Sequence, residues 1–418
     1  MNRIKYYLFT LGLFLPLELI TTVLFGVDSI FKPYRVVELI IILDIFFTRT
    51  NFFVSMFKQK NAKIWLVIVL LGFVSTFANI NSVPIDWFLV LNWIGLFVIN
   101  FLLFLILSSC QINKRWLEFF SLGFFIGILI NVFHYFVFPS NSIRFTGFMD
   151  NSNALAFAVI LNLIFLRVFN KSLVENILFK YLLLGISFLI ILESGSRGGL
   201  LLFALVLVSY INISVKSIFR LLIFIILSIP FLDTINFDMS KFITFERVQY
   251  KLEDEEEDER IMLAKAGISA AIDTYGIGLG ISQFQTIENF NYFVYPYSER
   301  YAIMRSKVGK GLVTHNSFIQ LASEFGIISL ILFLVFFLGT LATLFKKNNN
   351  LLKLFSDDRF ILFLTALIYA FVHIIFFSPF FWIIMAFLNN KTVIIFKKNK
   401  KVKLAEARKT LPRFVISD

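Results

Sequence analysis

His315 is the residue whose type and position first suggest chemistry. It stands in VTHNSFIQLASEFG, residues 313–326, where a polar stretch gives way to a long apolar one. A helix that starts here directs the positive end of its dipole at the imidazole and keeps the ring neutral, as a general base must be. Asn316 beside it can bind a substrate or cap the helix. The alternative for His315 is a packing or interfacial residue at a membrane boundary.

Arg197 lies in a second candidate segment, ESGSRGGLLLF, residues 193–203. Serine and glycine allow a tight turn there, and the apolar helix that follows presents its free N–H groups outward. Such a helix end binds anions, and a guanidinium adds a planar fork that matches phosphate oxygens. Arg197 is therefore a candidate phosphate-binding residue. The alternative is an arginine that extends to the lipid headgroups.

Arg144 precedes a similar glycine turn and helix in RFTGFMDNSNALAF, residues 144–157. Two roles are open for Arg144, a phosphate or sugar contact and an ion pair with Asp150. Asn151 or Asn153 is predicted to cap the helix that follows, because asparagine is favoured at that position.

Arg260 follows the acidic run LEDEEEDE, residues 252–259, and heads IMLAKAGISAAIDTY, residues 261–275. Apolar residues recur at helical spacing in the second segment, which predicts an amphipathic helix along the membrane surface. Arg260 is either a phosphate-binding residue or the partner of neighbouring carboxylates in a weak surface ion pair. GIGLG, residues 276–280, follows no predicted strand, so it is interpreted as a flexible turn and not as a nucleotide-binding loop.

The elements that position these residues must be membrane helices. Of 418 residues, 58% are hydrophobic, 56 are phenylalanine and 16% are charged, which leaves too little polar surface to cover a soluble fold. Apolar runs of about 17 to 25 residues, the length of a helix that crosses a bilayer, recur from end to end. We predict an all-α, polytopic membrane helical bundle of about twelve spans with one large periplasmic loop. The predicted spans are residues 6–26, 35–48, 64–79, 86–108, 116–138, 152–169, 176–193, 197–213, 217–232, 315–345, 359–377 and 379–396.

The positive charge of the chain predicts its orientation. The formal net charge of +12 arises mainly in loops on one side of the membrane, so it does not indicate nucleic acid. With the N-terminus inside, the short outer loops hold few basic residues, namely Lys32, Arg35, Arg144 and Arg197. Both termini are therefore predicted to be cytoplasmic. Arg144, Arg197, Arg260 and His315 are then predicted to share the outer face.

The chain divides into four predicted parts. They are residues 1–232 with transmembrane helices 1–9, the large periplasmic loop 233–314, residues 315–396 with helices 10–12, and the basic cytoplasmic tail 397–418. The single Cys110 excludes a disulfide framework and a cysteine metal site.

Four short segments, in this order along the chain, resemble the O-antigen ligase and O-antigen polymerase family of bacterial envelope glycosyltransferases. They are RFTGFMDNSN, GSRGG, ERIMLAKAGISAAIDTYGIGLG and HNSFIQLASEFG, within about residues 140–345. The resemblance implies an enzyme of the bacterial inner membrane that acts at the periplasmic face on undecaprenyl-pyrophosphate-linked glycans, with no cofactor and no metal. It further implies that Arg197 and Arg260 bind pyrophosphate and that His315 activates the acceptor. Arg144 and Asn316 are additional candidates for substrate binding.

Three functions remain open. A polymerase joins one lipid-linked glycan to another, a ligase moves the polymer to the lipid A core, and a flippase only transports the lipid-linked glycan. The polar residues cluster at the outer ends of helices and related halves are absent from the sequence, which favours an enzyme over a transporter. The polymerase is preferred because the sequence shows no dedicated surface for an anionic core. The expected partners are the lipid-linked donor, a glycan acceptor, membrane lipids and, as a further candidate, a chain-length regulator protein.

Overall fold

The computed structural model describes residues 2–25, 32–79, 85–137, 145–210, 259–309, 311–345 and 357–390. Within these ranges the regular elements are α-helices and one short π-helical turn, in agreement with the predicted all-α class. The helices up to residue 210 are α1 (Asn2–Phe14), α2 (Ile20–Phe25), α3 (Pro33–Thr48), α4 (Thr50–Met56), α5 (Lys60–Ala78), α6 (Trp87–Ser109), α7 (Lys114–Val137), α8 (Ser152–Phe169), α9 (Lys171–Glu175), α10 (Ile177–Glu193) and α11 (Arg197–Tyr210). From residue 259 the helices are α12 (Glu259–Asp273), α13 (Ile287–Val294), α14 (Glu299–Val308), α15 (Ser317–Gln320), α16 (Ile327–Phe345), α17 (Asp358–Val372) and α18 (Pro379–Asn389), with the π-turn Leu321–Phe325 after α15.

Five helices of the described residues are long and apolar enough to cross a bilayer, namely α5, α6, α7, α8 and α16. Helices α3 and α4 supply a sixth if they form one span that is bent by 113°. These helices support a multi-pass membrane protein. The count of twelve spans remains a prediction, and the span predicted at 217–232 lies outside the described residues.

The predicted span 6–26 is wrong as a single helix, because the chain breaks between α1 and α2. Pro16 lies in this break; it has no N–H to donate, and its ring prevents the helix from continuing. Asn131 of α7 stabilises the broken segment. Its Nδ2 donates to the Pro16 carbonyl at 2.8 Å, and its Oδ1 accepts from the Phe148 N–H at 2.8 Å.

The predicted span 315–345 is also interrupted. Helix α15 passes into the π-turn, and α16 starts only after Gly326. Gly326 has a φ of +88°, and a Cβ at this position would lie 2.5 Å from the Ile277 carbonyl oxygen. Only glycine combines this backbone angle with so close an approach. His315 therefore precedes a short helix and not, as predicted, the start of a long span.

Helix α8 forms the centre of the bundle. It is apolar around its whole circumference and largely buried, as expected for a helix that other helices enclose. Helices α7, α10, α11 and α17 contact it. Aromatic rings around Trp65 fill the space among α5, α6, α16 and α18, and the ring centroids of Trp65 and Trp382 are 4.7 Å apart. This packing fixes the helix ends that carry the candidate site.

The segment 259–309 has a small core of its own, in which Met262 and Leu263 of α12 pack with Phe284 and Phe290. The predicted amphipathic helix 261–275 is thus present as α12. Its buried apolar face contacts protein, including α15 and the π-turn, because these elements lie directly against it. A position of α12 on the membrane surface remains a prediction.

Candidate functional site

His315 lies in the connection between α14 and α15, in a backbone conformation that few residues adopt. Its φ is +52°, in the left-handed region that is strained for a residue with a side chain. Asn316 follows as the N-cap of α15, and its Oδ1 accepts from the N–H groups of Phe318 at 2.9 Å and Ile319 at 3.1 Å. Of the two roles open for Asn316, the structure shows the cap. The cap fixes the backbone next to His315 and so orients the imidazole.

Arg260 approaches His315 from the first turn of α12. Further along this helix, a Cβ at Gly267 would lie 2.9 Å from Thr314 Cγ2 and 2.5 Å from Ile319 Cγ2, so α12 lies directly against the chain on both sides of His315. Arg260 is two turns before Gly267, on the same side of α12. It consequently lies close enough for its charge to act on the imidazole.

The electrostatics of this pair favour a neutral histidine. Burial lowers the pKa of His315 below its ordinary value, and the positive charge of Arg260 lowers it further, while Glu259 acts in the opposite direction. Each neighbour that disfavours the imidazolium leaves more of the ring in the form that can accept a proton. The pair therefore combines a base with a cation that can hold an anion.

His373, which falls inside the predicted span 359–377, lies close to His315. Helix α17 ends at Val372, and His373 begins a connection to α18 that we call the 373–378 connection. Arg260 and His315 both interact electrostatically with the His373 ring. The sequence around His373 is apolar on both sides and gives no signal that a helix ends there. For this reason the sequence did not indicate His373 as a site residue.

Ser317 joins the two histidine-bearing segments. Its Oγ donates to the His373 carbonyl at 2.6 Å and accepts from the Ile375 N–H at 2.9 Å. Ser317 is fully buried and comes two residues after His315. The backbone next to one histidine is thus tied to the backbone of the other.

Arg197 is exposed and starts α11, as the sequence predicts for a helix-end arginine. Helix α11 packs tightly on the start of α8, where a Cβ at Gly199 would lie 2.8 Å from the Ala156 Cβ. The next residue of α8, Phe157, stacks on Tyr369 of α17 with ring centroids 3.8 Å apart. Arg197 therefore lies at the end of the bundle where α8 and α11 begin and α17 ends. We call this the site end.

The segment predicted to carry Arg144 is described only in part. Arg144 itself lies outside the described residues, so its two open roles remain predictions. Asn151 caps α8, as predicted, because its Oδ1 accepts from the Ala154 N–H at 2.8 Å. Asp150 pairs with Lys32, which also pairs with Glu18 at the break between α1 and α2.

A second charged network at the site end comes from the first third of the chain and was not predicted. Arg35 Nη1 lies 2.8 Å from Glu38 Oε2 and 2.9 Å from Asn100 Oδ1, and Nη2 donates to the Phe377 carbonyl at 2.9 Å. Asn100 Nδ2 donates to the Phe376 carbonyl at 3.1 Å. The signal in the sequence is the ionisable pair Arg35 and Glu38 inside an apolar run, where charged residues are rare and paired.

The glycine turn 276–280 is packed and is not the flexible turn that was predicted. The Leu279 N–H donates to the Ser323 carbonyl at 2.7 Å, and the Ile327 N–H donates to the Gly276 carbonyl at 2.9 Å. Glu324 is buried beneath it, where its Oε1 accepts from the Phe284 N–H at 3.3 Å. These contacts hold α12 against the π-turn, to which Glu324 belongs.

The fold and these contacts define a multi-pass α-helical membrane protein with a cationic, histidine-containing site at one end of its bundle. Residues 182–334 match the family model described as O-antigen ligase. This match confirms the resemblance drawn from the sequence. The comparison with curated proteins found no match. Arg197, Arg260 and His315 fall inside the matched range, whereas Arg35 and His373 fall outside it.

Proposed function

We propose that this protein is an O-antigen polymerase that transfers a glycan from undecaprenyl pyrophosphate to a sugar hydroxyl of a second lipid-linked repeat unit. The observation that carries the proposal is the position of Arg260, whose charge acts on a strained and half-buried His315. The match of residues 182–334 to the O-antigen ligase model supports the same class of substrate.

The reaction needs a base and cations, because a lipid pyrophosphate is already a good leaving group. His315 takes the proton of the acceptor hydroxyl, whose oxygen attacks the anomeric carbon of the donor. The bond from that carbon to the pyrophosphate oxygen breaks, and undecaprenyl pyrophosphate leaves with the bonding electron pair. Arg260 and Arg197 hold its developing charge. A single displacement of this kind inverts the anomeric centre.

The site belongs, in this proposal, to the periplasmic side of the inner membrane, with both termini in the cytoplasm. Helix α1 runs toward the site end, so the start of the chain lies at the opposite end of the bundle. Basic residues lie at that opposite end, where α7 starts with Lys114, α9 starts with Lys171 and Arg359 lies in the first turn of α17. An excess of basic residues marks the cytoplasmic side.

A ligase that transfers the finished polymer to the lipid A core is the second candidate, because the matched family model carries that description. Both enzymes break the same bond and need the same groups on the donor side. The two enzymes differ in the acceptor, so loss of each one changes the surface polysaccharide of the bacterium in a different way.

The test is to replace His315→Ala in the source bacterium and to separate its surface polysaccharide on a gel. Loss of a polymerase leaves cores capped with single repeats, whereas loss of a ligase leaves bare cores. His134→Ala is the matched control, because this histidine meets Phe148 edge-on and belongs to α7, not to the segments that carry Arg260, His315 and His373. An unaltered ladder in the His315 variant, with normal protein levels, removes His315 from the reaction and refutes both candidates as enzymes that use this histidine as their base.

A further inference from the structure

His373 is held in place from two sides by residues that are distant in the sequence. Ser317 binds the His373 carbonyl and the Ile375 N–H. On the other side, Arg35 binds the Phe377 carbonyl, and Asn100 binds the Phe376 carbonyl. A connection that belongs to no helix is thereby fixed in a single backbone position.

The ring of His373 is fixed as well. Its centroid lies 4.7 Å from that of Tyr369, and Tyr369 in turn stacks on Phe157 at 3.8 Å. As a residue, His373 is partly exposed at the site end. A ring that is already packed against its neighbours binds a ligand at a smaller entropic cost than a mobile side chain does.

The neighbours of this ring determine which ligand it suits. Burial, Arg260 and His315 together lower the pKa of His373 to about 3. A neutral imidazole offers one N–H donor and adds no charge beside Arg260. Ser317 ties the backbone of His373 to the segment that carries His315, and Arg260 acts electrostatically on both rings, so an anion bound to the guanidinium lies near both histidines.

We propose that His373 is a second histidine of the site and donates a hydrogen bond to an oxygen of the donor's pyrophosphate, alongside Arg260. The inference rests on the proposed function, since it takes a lipid pyrophosphate as the ligand. His315 and His373 then have different tasks, because the first accepts the acceptor's proton and the second binds the leaving group. A hydrogen bond that shortens as charge develops on the pyrophosphate contributes to the reaction as well as to binding.

The test measures the affinity of the full-length protein in lipid nanodiscs for farnesyl pyrophosphate, a short polyprenyl pyrophosphate. The variants are His373→Ala, His373→Gln and Arg260→Ala, with His134→Ala as a control that removes a similar ring contact, 4.5 Å from Phe148. Loss of a hydrogen bond to a charged group weakens binding by about tenfold to a hundredfold in His373→Ala. His373→Gln, which keeps an N–H donor, recovers most of the affinity. His134→Ala binds as the wild type does.

The results of this experiment test the role of His373 separately from the proposed function. If Arg260→Ala loses affinity but His373→Ala binds like the wild type, the role of His373 is refuted and the proposed function stands. An equal loss in His373→Ala and His373→Gln, with unfolding midpoints lowered to the same extent, shows a purely structural histidine and also refutes the inference. If the wild type itself does not bind farnesyl pyrophosphate, both the inference and the proposed donor fall.

Discussion

Ser317→Ala tests whether the two histidine-bearing segments depend on each other. The Ser317 hydroxyl is fully buried and satisfies two backbone groups of the 373–378 connection, one donor and one acceptor. Leaving a buried backbone group without its partner costs about 1–3 kcal/mol. Removing this hydroxyl should therefore lower the free energy of unfolding by about 2–4 kcal/mol, after some relaxation of the connection.

Ser329→Ala is a matched control because Ser329 is equally buried. Its hydroxyl donates to the Phe325 carbonyl four residues earlier on the same stretch of chain, at 3.0 Å. Bonds of this local kind contribute little to the stability of a helix. The expected loss for this variant is below about 1 kcal/mol.

Titration of the purified protein with sodium dodecyl sulfate in mixed micelles measures both free energies of unfolding. The polysaccharide ladder of the source bacterium measures activity, and the Ser317 variant should lose more polymer than the Ser329 variant at equal protein levels. If the two variants are equally stable and equally active, Ser317 does not couple the segments. A single site with two histidines would then lack its structural basis.

Two further changes test the electrostatics and the packing. Glu259→Gln removes the negative charge that raises the pKa of His315, so the acid limb of the pH–rate profile should move to lower pH. Glu299→Gln is the control, because both glutamates accept a hydrogen bond from a tyrosine hydroxyl, and this variant should leave the profile unchanged. An unmoved limb in the first variant would exclude His315 as the titrating base. Gly278→Ala should destabilise the protein in mixed micelles far more than Gly309→Ala. Both glycines have a positive φ, but only a Cβ at Gly278 would collide with backbone, at 2.7 Å from Gly326 N. Equal losses would show that the glycine turn can move away.

Local signals in the sequence predict local structure well in this chain. The asparagine preference for helix caps predicts Asn151, and the helical spacing of apolar residues predicts a helix at 261–275 that closely matches α12. Both depend on residues within a few positions of each other. A single sequence contains this information directly.

The breaks in the predicted spans show that hydropathy does not predict where a helix is interrupted. An apolar run shows that a segment is long enough to cross a bilayer, but not whether its backbone is continuous. Gly326 interrupts the predicted span because the chain at Ile277 approaches it closely, and that approach arises only in the folded protein. His373 fell inside the predicted span 359–377 for the same reason, because hydropathy shows neither that α17 ends at Val372 nor that Ser317 binds the chain just after it.

The charged network around Arg35 could not be predicted because its partners are far apart in the chain. Arg35 and Phe377, which share a hydrogen bond, are 342 residues apart. Nothing near either residue in the sequence indicates the other. In the sequence, Arg35 and Glu38 indicate only that two charges in an apolar region must pair with each other. They do not indicate which backbone carbonyl the arginine also binds.

The cations at the site end differ in whether they can bind a substrate. Lys32 is paired with Glu18 and Asp150, and Arg35 is paired with Glu38, which is fully buried. An incoming pyrophosphate would have to displace these carboxylates and leave a buried negative charge without its partner, which costs several kcal/mol.

Arg197 and Arg260, in contrast, are exposed and lie in the first turn of a helix. The N–H groups of such a turn favour an anion near the guanidinium. Carboxylate partners give Lys32 and Arg35 a structural role, whereas the exposure of Arg197 and Arg260 supports the proposal that these two arginines bind the anionic substrate.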